Sequence, residues 1–137
     1  MTKREKVYSR FDGKCSYTGT NLESDCQIDH MESKAINSYY AYKGVIDEKD
    51  VNRIENLFPA QRIINHYKRG LDLELFRDYM KTFHLRLAKL PKNPKVKKSI
   101  KHKEYLLEVA RLFDITPEKP FSGKFYFETL KDGSKHN

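Results

Sequence analysis

The sequence predicts an α+β fold, in which short strands and a helix in the first half precede longer amphipathic helices in the second. Residues 14–18 and 26–30 are short runs bounded by turn-forming residues, which is typical of strands. After Gly70, apolar residues recur at alternating spacings of three and four, which indicates helices. A chain of 137 residues is long enough for one domain with a modest core.

The first predicted element is a short helix over residues 2–11. It would bury Val7 and Phe11, which lie four positions apart and therefore share a face. Asp12 and Gly13 follow directly and are suited to ending the helix and turning the chain.

Residues 14–18 and 26–30 are then predicted to pair as a β-hairpin. Side chains alternate along a strand, so the second strand would place Asp29 and His30 on opposite faces unless it ends or bulges there. Residues 31–55 show no clean period and are expected to form a long loop with a helical turn or two.

Three tyrosines of that loop, Tyr39, Tyr40 and Tyr42, allow two interpretations. They could stack on unpaired bases or line a groove. They could instead pack the loop against the core, and this second interpretation is the favoured one.

A second helix is predicted after a short strand at residues 56–58, with Pro59 in its first turn and Gly70 at its C-terminal cap. One face of this helix is apolar: Ala60, Ile63, Ile64 and Tyr67. The opposite face is basic and polar: Arg62, Asn65, Lys68 and Arg69.

The second half is predicted to contain an amphipathic helix over residues 72–90 and another that Ser99 caps. Residues 123–130 are typical of a strand, and residues 131–137 of a mobile tail.

The composition indicates a polyanionic partner. The formal net charge is +8, and 34% of the residues are charged. One run of lysines has no acid among them: Lys89, Lys92, Lys95, Lys97, Lys98, Lys101 and Lys103. This run could bind phosphates without regard to sequence, or it could be a solvated linker, and an acidic protein is a second possible partner.

The two cysteines, Cys15 and Cys26, are too few for a disulfide scaffold. No apolar N-terminal segment suggests a signal peptide or a membrane span. We therefore expect a cytoplasmic protein with no membrane partner, although export without a signal peptide stays open.

Four polar residues have the strongest chemical implication. Asp29 and His30 place a carboxylate beside an imidazole, and Asn56 and Asn65 follow at a spacing of nine. Together these groups could hold one hard metal ion and activate one water, which is the minimum needed to cut a phosphodiester. Each residue alone also has an ordinary interpretation, as a surface histidine, a turn former or a cap.

These residues belong to four pieces whose order and separations resemble the HNH (ββα-metal) endonuclease family over roughly residues 2–70. The pieces are RFDGKCSYTG at 10–19, IDH at 28–30, NRIENL at 52–57 and NHYK at 65–68. The resemblance implies a core of a β-hairpin and a helix in residues 1–70. Residues 71–137 would then be a helical, basic extension packed on that core within a single domain.

The resemblance also implies the role of each site residue. His30 would be the general base, and Asp29 and Asn65 would hold one divalent cation, Mg²⁺ or Mn²⁺. Asn56 would position the His30 loop without touching metal or water. His66 competes with Asn65 as a ligand, but one helical position turns it about 100° away.

A metal-dependent endonuclease acting on DNA is the function that follows, with RNA as a possible substrate. The expected nucleic-acid contacts are basic: Lys68, Arg62, Arg69, Lys95, Lys97 and Lys98. The alternative is a nucleic-acid-binding module on the same scaffold that does not cut.

Many family members carry two Cys-x-x-Cys pairs that bind a structural zinc. The corresponding positions here are Cys15, Thr18, Gln61 and Ile64. One thiolate cannot hold a tetrahedral zinc site, so we expect no structural zinc, with Ile64 and its apolar neighbours packing the space.

Overall fold

The computed structural model describes residues 1–31 and 52–130. The expectations for Tyr39, Tyr40 and Tyr42 and for the tail at 131–137 concern residues outside this part. In chain order the elements are α1 (Lys3–Ser9), β1 (Gln27–His30), a 3₁₀ turn (Ile54–Asn56), β2 (Leu57–Ala60), α2 (Arg62–Lys68), α3 (Leu73–Lys81), α4 (Phe83–Ala88), α5 (Lys97–Phe113) and α6 (Tyr126–Thr129).

The described chain is a mixed helix-and-strand structure, which confirms the α+β prediction at that level. It divides into two compact units. The first takes the described parts of Met1–Phe76 and Phe125–Asn137, and the second is Arg77–Lys124. No described helix is both long and apolar enough to cross a membrane.

The predicted first helix is confirmed as α1. The hydroxyl of Thr2 accepts a hydrogen bond from the backbone N–H of Glu5 and caps the helix. Asp12 and Gly13 follow with φ of 55° and 76°, so the chain turns through the left-handed region where the sequence places a turn.

The predicted β-hairpin between residues 14–18 and 26–30 is wrong. β1 pairs instead with β2 in an antiparallel sheet, with Ile28 opposite Pro59 and Asp29 opposite Phe58. Residues 13–22 bond among themselves, through Cys15 N–H to the Thr20 carbonyl and Leu22 N–H to the Gly13 carbonyl. These local turns use the backbone groups that a hairpin partner would need.

Pro59 lies in β2 and not in the first turn of a helix, which corrects a second prediction. Proline has no N–H to donate, but a two-stranded sheet leaves one edge of each strand unpaired and tolerates it there. The Pro59 carbonyl accepts hydrogen bonds from both the N–H and the hydroxyl of Ser16, each at 2.9 Å.

α2 contacts β1 and differs from the predicted pattern at one residue. Arg62 and Arg69 are exposed, as a basic face requires, but the side chain of Lys68 is fully buried beside Ile64 and Tyr67. Lys68 lies four residues after Ile64, so helical geometry places both on the face that packs inward.

An aromatic cluster forms the core of the first unit. The Tyr17 ring meets the Phe76 and Phe125 rings edge-on, with centroids 5.5 and 5.3 Å away. The remaining rings belong to Phe11, Phe58 and Phe127. Aromatic packing therefore draws the chain back into the first unit at residue 125.

The strand predicted at residues 123–130 is wrong, because the segment forms the short helix α6. The Glu128 carboxylate accepts from the Phe125 N–H at 2.9 Å and caps the helix start. The Tyr126 N–H donates to the Tyr17 carbonyl, which fixes the helix against the first unit.

The helix predicted over residues 72–90 is broken at Thr82 into α3 and α4. The Thr82 hydroxyl donates to the Tyr79 carbonyl at 3.3 Å, while the Arg86 guanidinium donates to both residues. These side-chain bonds replace helical backbone bonds at the break. α5 begins at Lys97, two residues before the predicted cap at Ser99.

A glycine pair tests the packing of α6. Gly13 and Gly19 both have positive φ, but a Cβ on Gly19 would lie 2.6 Å from the Tyr126 ring, whereas one on Gly13 meets nothing within 4 Å. Gly13→Ala should cost about 1–2 kcal/mol of unfolding free energy. Gly19→Ala should cost about 1–3 kcal/mol more, as measured by urea unfolding. Equal losses in the two variants would contradict the close approach.

Candidate active site

The site residues lie at the end of β1 and on α2. Asp29 is buried and His30 is half-buried, as expected for neighbours on opposite faces of a strand. β1 ends at His30, and the next N–H, that of Met31, donates to the Asn56 carbonyl at 3.0 Å. The turn that precedes β2 therefore holds the chain directly after His30.

The Asp29 carboxylate is bound on two sides within the first unit. The Tyr17 hydroxyl donates to Oδ2. The Lys68 ammonium lies 3.1 Å from Oδ2 and 3.4 Å from Oδ1. The Lys68 and Asp29 side chains are only 1% and 6% exposed, so this ion pair is shielded from water.

Lys68 has further partners at the same place. Its Nζ donates to the Leu71 carbonyl at 2.6 Å and contacts the His30 carbonyl at 3.5 Å. The ammonium thus joins the end of β1 to the chain that leaves α2. The sequence places Lys68 at an exposed phosphate contact, whereas the structure places it inside the site, against Asp29.

Burial raises the pKa of Asp29, and the charge of Lys68, the Tyr17 hydroxyl and His30 partly oppose that rise. Burial also raises the pKa of Tyr17 well above its ordinary value, and the adjacent Asp29 charge adds to the effect. Tyr17 therefore stays neutral and keeps the proton that it donates to Asp29.

His30 has one ring nitrogen engaged. Its Nε2 lies 3.0 Å from the Oδ1 of Asn52. An amide oxygen can only accept, so this contact is a hydrogen bond in the tautomer that carries its proton on Nε2, and that tautomer keeps a lone pair on Nδ1. Asn52 had no assigned role in the sequence, although it is the first residue of the NRIENL piece; that position was the available signal.

α1 holds the segment that contains Asn52. The Lys3 ammonium donates to the Asn52 carbonyl. The Arg10 guanidinium donates to the Ile54 and Leu57 carbonyls at 3.0 and 2.6 Å. Two basic residues at opposite ends of α1 therefore fix the turn that orients His30.

The two predicted asparagines occupy different surroundings. Asn56 is buried, and its backbone carbonyl accepts from the Met31 N–H directly after His30; the positioning role of its side chain stays a prediction. Asn65 is half-buried, and its Nδ2 donates to Gln27 Oε1 at 2.8 Å. Gln27 and Asp29 lie two residues apart in β1, so Asn65 and Lys68 both pack on the strand face that carries Asp29.

The donor chemistry of Asp29 and Asn65 fits a hard divalent cation. Carboxylate and amide oxygens are ligands that Mg²⁺ accepts in proteins, with water or phosphate completing the set. The described residues contain no group of three or more His, Cys, Asp or Glu side chains that could hold a metal ion.

Gln61 is one of the four residues at the positions that correspond to zinc ligands, and it makes several hydrogen bonds. Its N–H donates to the Cys15 Sγ at 3.5 Å, and its Nε2 donates to the Thr20 hydroxyl at 3.1 Å. Its Oε1 accepts from the Glu23 N–H, while Ile64 is fully buried. Gln61 thus ties the start of α2 to residues 15–23; the absence of zinc stays a prediction.

The remaining basic residues predicted to contact nucleic acid are exposed. In the first unit, Arg62 is the first residue of α2 and Arg69 directly follows its last. Lys95, Lys97 and Lys98 lie in the second unit, at the start of α5 and just before it.

Comparisons of the chain with protein-family models, with curated proteins and with solved structures gave no match. Support for a function therefore comes from these residues and their geometry.

The buried ion pair makes a first prediction for this site. Lys68→Met should cost about 3–5 kcal/mol of unfolding free energy, because it leaves the Asp29 charge buried without its partner. Adding Asp29→Asn should restore much of that loss. Urea unfolding measures both, with exposed Lys6→Met as the control. A Lys68→Met loss no larger than that of Lys6→Met would contradict the pair.

The raised pKa of Asp29 makes a second prediction. The folded state binds a proton more readily than the unfolded state, whose Asp pKa is about 3.9. The contribution of Asp29 to stability must therefore fall as the pH rises from about 4 through the folded pKa. Unfolding free energies of the native protein minus those of Asp29→Asn, measured across this range, should decline with pH. A difference that rises would refute the burial effect.

Proposed function

We propose that this protein is a metal-dependent endonuclease that hydrolyses phosphodiester bonds in DNA. The observation that carries the proposal is the contact of His30 with Asn52: its Nε2 lies 3.0 Å from the Asn52 Oδ1, and in the tautomer that donates to this oxygen the Nδ1 lone pair can accept a proton. The antiparallel strands β1 and β2 followed by α2 support it, because Asp29 and His30 end β1, the Asn56 carbonyl accepts from the next N–H, and Asn65 on α2 contacts Gln27 of the same strand.

His30 would act as the general base. A neutral imidazole near pH 7 can take a proton from a water that attacks phosphorus. Asn52 keeps the proton on the far nitrogen, and the Met31–Asn56 bond keeps the end of β1 in place. These contacts fix the direction from which His30 would receive the proton.

Asp29 and Asn65 would hold the divalent cation. When bound, such an ion supplies charge stabilisation at the scissile phosphate. The chain itself contributes Tyr17 and Lys68, which orient the Asp29 carboxylate within the buried end of β1.

The exposed basic residues would contact the phosphate backbone. Arg62 and Arg69 lie at the two ends of the helix that carries Asn65. Lys95, Lys97 and Lys98 add positive charge in the second unit, in keeping with the net charge of +8. Contacts of this kind bind without reading base sequence.

The alternative function is nucleic-acid binding without cutting. Two observations favour it: the lysines are exposed, and the Asp29 charge is already paired with Lys68. A module of this kind would keep the salt-dependent binding that basic residues give.

Incubation of supercoiled plasmid with Mg²⁺ or Mn²⁺ separates the two functions. The native protein should nick the plasmid, and His30→Ala should lower the rate at least about 100-fold, because it removes the base, while plasmid binding persists. His102→Ala, an exposed histidine in the second unit, is the control and should nick normally. A native protein that binds but never nicks plasmid, linear DNA or RNA would favour the alternative.

A further inference from the structure

The ammonium of Lys68 occupies surroundings that resemble a cation site. It contacts the Asp29 carboxylate and the carbonyls of His30 and Leu71, so its partners in the described part of the chain are oxygens. Both members of the ion pair are more than nine-tenths buried. Burial of this kind strengthens the attraction between the two charges and keeps water from replacing either partner.

The pair limits what else the carboxylate can bind. Among the described residues, Oδ2 accepts from both Tyr17 and Lys68, whereas Oδ1 has the longer 3.4 Å contact with Lys68. A divalent cation on Oδ1 would lie close to an ammonium, and two positive charges at such a distance repel strongly when water is excluded. Lys68 and a cation therefore compete for the Asp29 carboxylate.

We propose that Lys68 is a resident counter-ion of Asp29, which a divalent cation must displace before it can bind. This inference rests on the proposed function, because it takes Asp29 as a ligand. The pair alone is neutral, and a divalent ion that replaces the ammonium at Asp29 would leave the site with a charge of +1. A phosphodiester would reduce that excess, so cation uptake is coupled to the arrival of nucleic acid.

Binding of Mn²⁺ to the full chain tests the displacement. Paramagnetic resonance of free Mn²⁺ gives the affinity without any need for cleavage. Lys68→Gln should bind Mn²⁺ roughly tenfold more tightly than the native protein, since it removes the competing charge. Lys68→Arg keeps the charge and should stay weak, and Asp29→Asn should lose the site.

Lys6→Gln, at an exposed position on α1, controls for the loss of one positive charge from the whole protein. It should change the affinity far less than Lys68→Gln. Lys68→Gln binding no tighter than the native protein, or no tighter than Lys6→Gln, would overturn the proposal.

The native protein provides a second test that does not depend on a variant's folding. In a Mg²⁺ titration followed by NMR, the Asp29 Cγ and Lys68 Nζ resonances should shift together with one midpoint. Movement of Asp29 with an unchanged Lys68 would overturn the displacement. Mg²⁺-dependent nicking with neither resonance moving would also overturn the displacement, but it would support the proposed endonuclease function. Joint movement without nicking of any substrate would reject the endonuclease and retain the counter-ion.

Discussion

The contact between Asp29 and Lys68 is the interaction on which the proposed site depends. A carboxylate at the inner face of β1 needs a positive partner, because desolvation penalises an isolated charge. Lys68 provides it from α2 and so fixes the helix against the strand. His30, the next residue, then projects to the accessible side, while Asn65 lies one helical turn before Lys68 beside Gln27. One buried charge pair therefore sets the spacing of three residues to which the proposal gives chemical roles.

Around this pair, α1 and the aromatic cluster act as supports of different kinds. Lys3 and Arg10 bind backbone carbonyls on either side of the turn before β2, and the Arg10 guanidinium also lies 4.6 Å from the centre of the Phe58 ring. Tyr17 belongs to both the cluster and the site, since its ring packs against Phe125 while its hydroxyl bonds Asp29. The position of the carboxylate is thus coupled to the packing of the core.

Local signals in the sequence were sufficient for α1, for the turn at Asp12 and Gly13, and for helix α2 with its exposed arginines. They failed where a distant partner decides the outcome. β1 pairs with a strand beyond residues 31–56, which no local pattern indicates. Lys68 is buried although lysine rarely is, because its partners come from β1 and from Leu71. The apolar spacing continues through Thr82, so it does not indicate the helix break that the side-chain hydrogen bonds of Thr82 and Arg86 accompany. Aromatic residues at 125–127 favour a strand, but Glu128 caps a helix there.

For the site, Asp29 and His30 could be singled out from their sequence pattern. The contact of Asn52 with the imidazole was found from the structure, because its place in the NRIENL piece indicates no particular partner.

The return of Phe125 and Phe127 to the first unit affects how the protein emerges from the ribosome. Tyr17 and Phe76 are synthesised long before the ring of Phe125 that completes their packing. At typical elongation rates of about 5–20 residues per second, the interval between Phe76 and Phe125 is roughly 2–10 seconds. During this time the aromatic cluster lacks the rings of Phe125 and Phe127, and Gly19 lacks the tyrosine ring that packs against it. The first unit is therefore complete only after the second one has been translated.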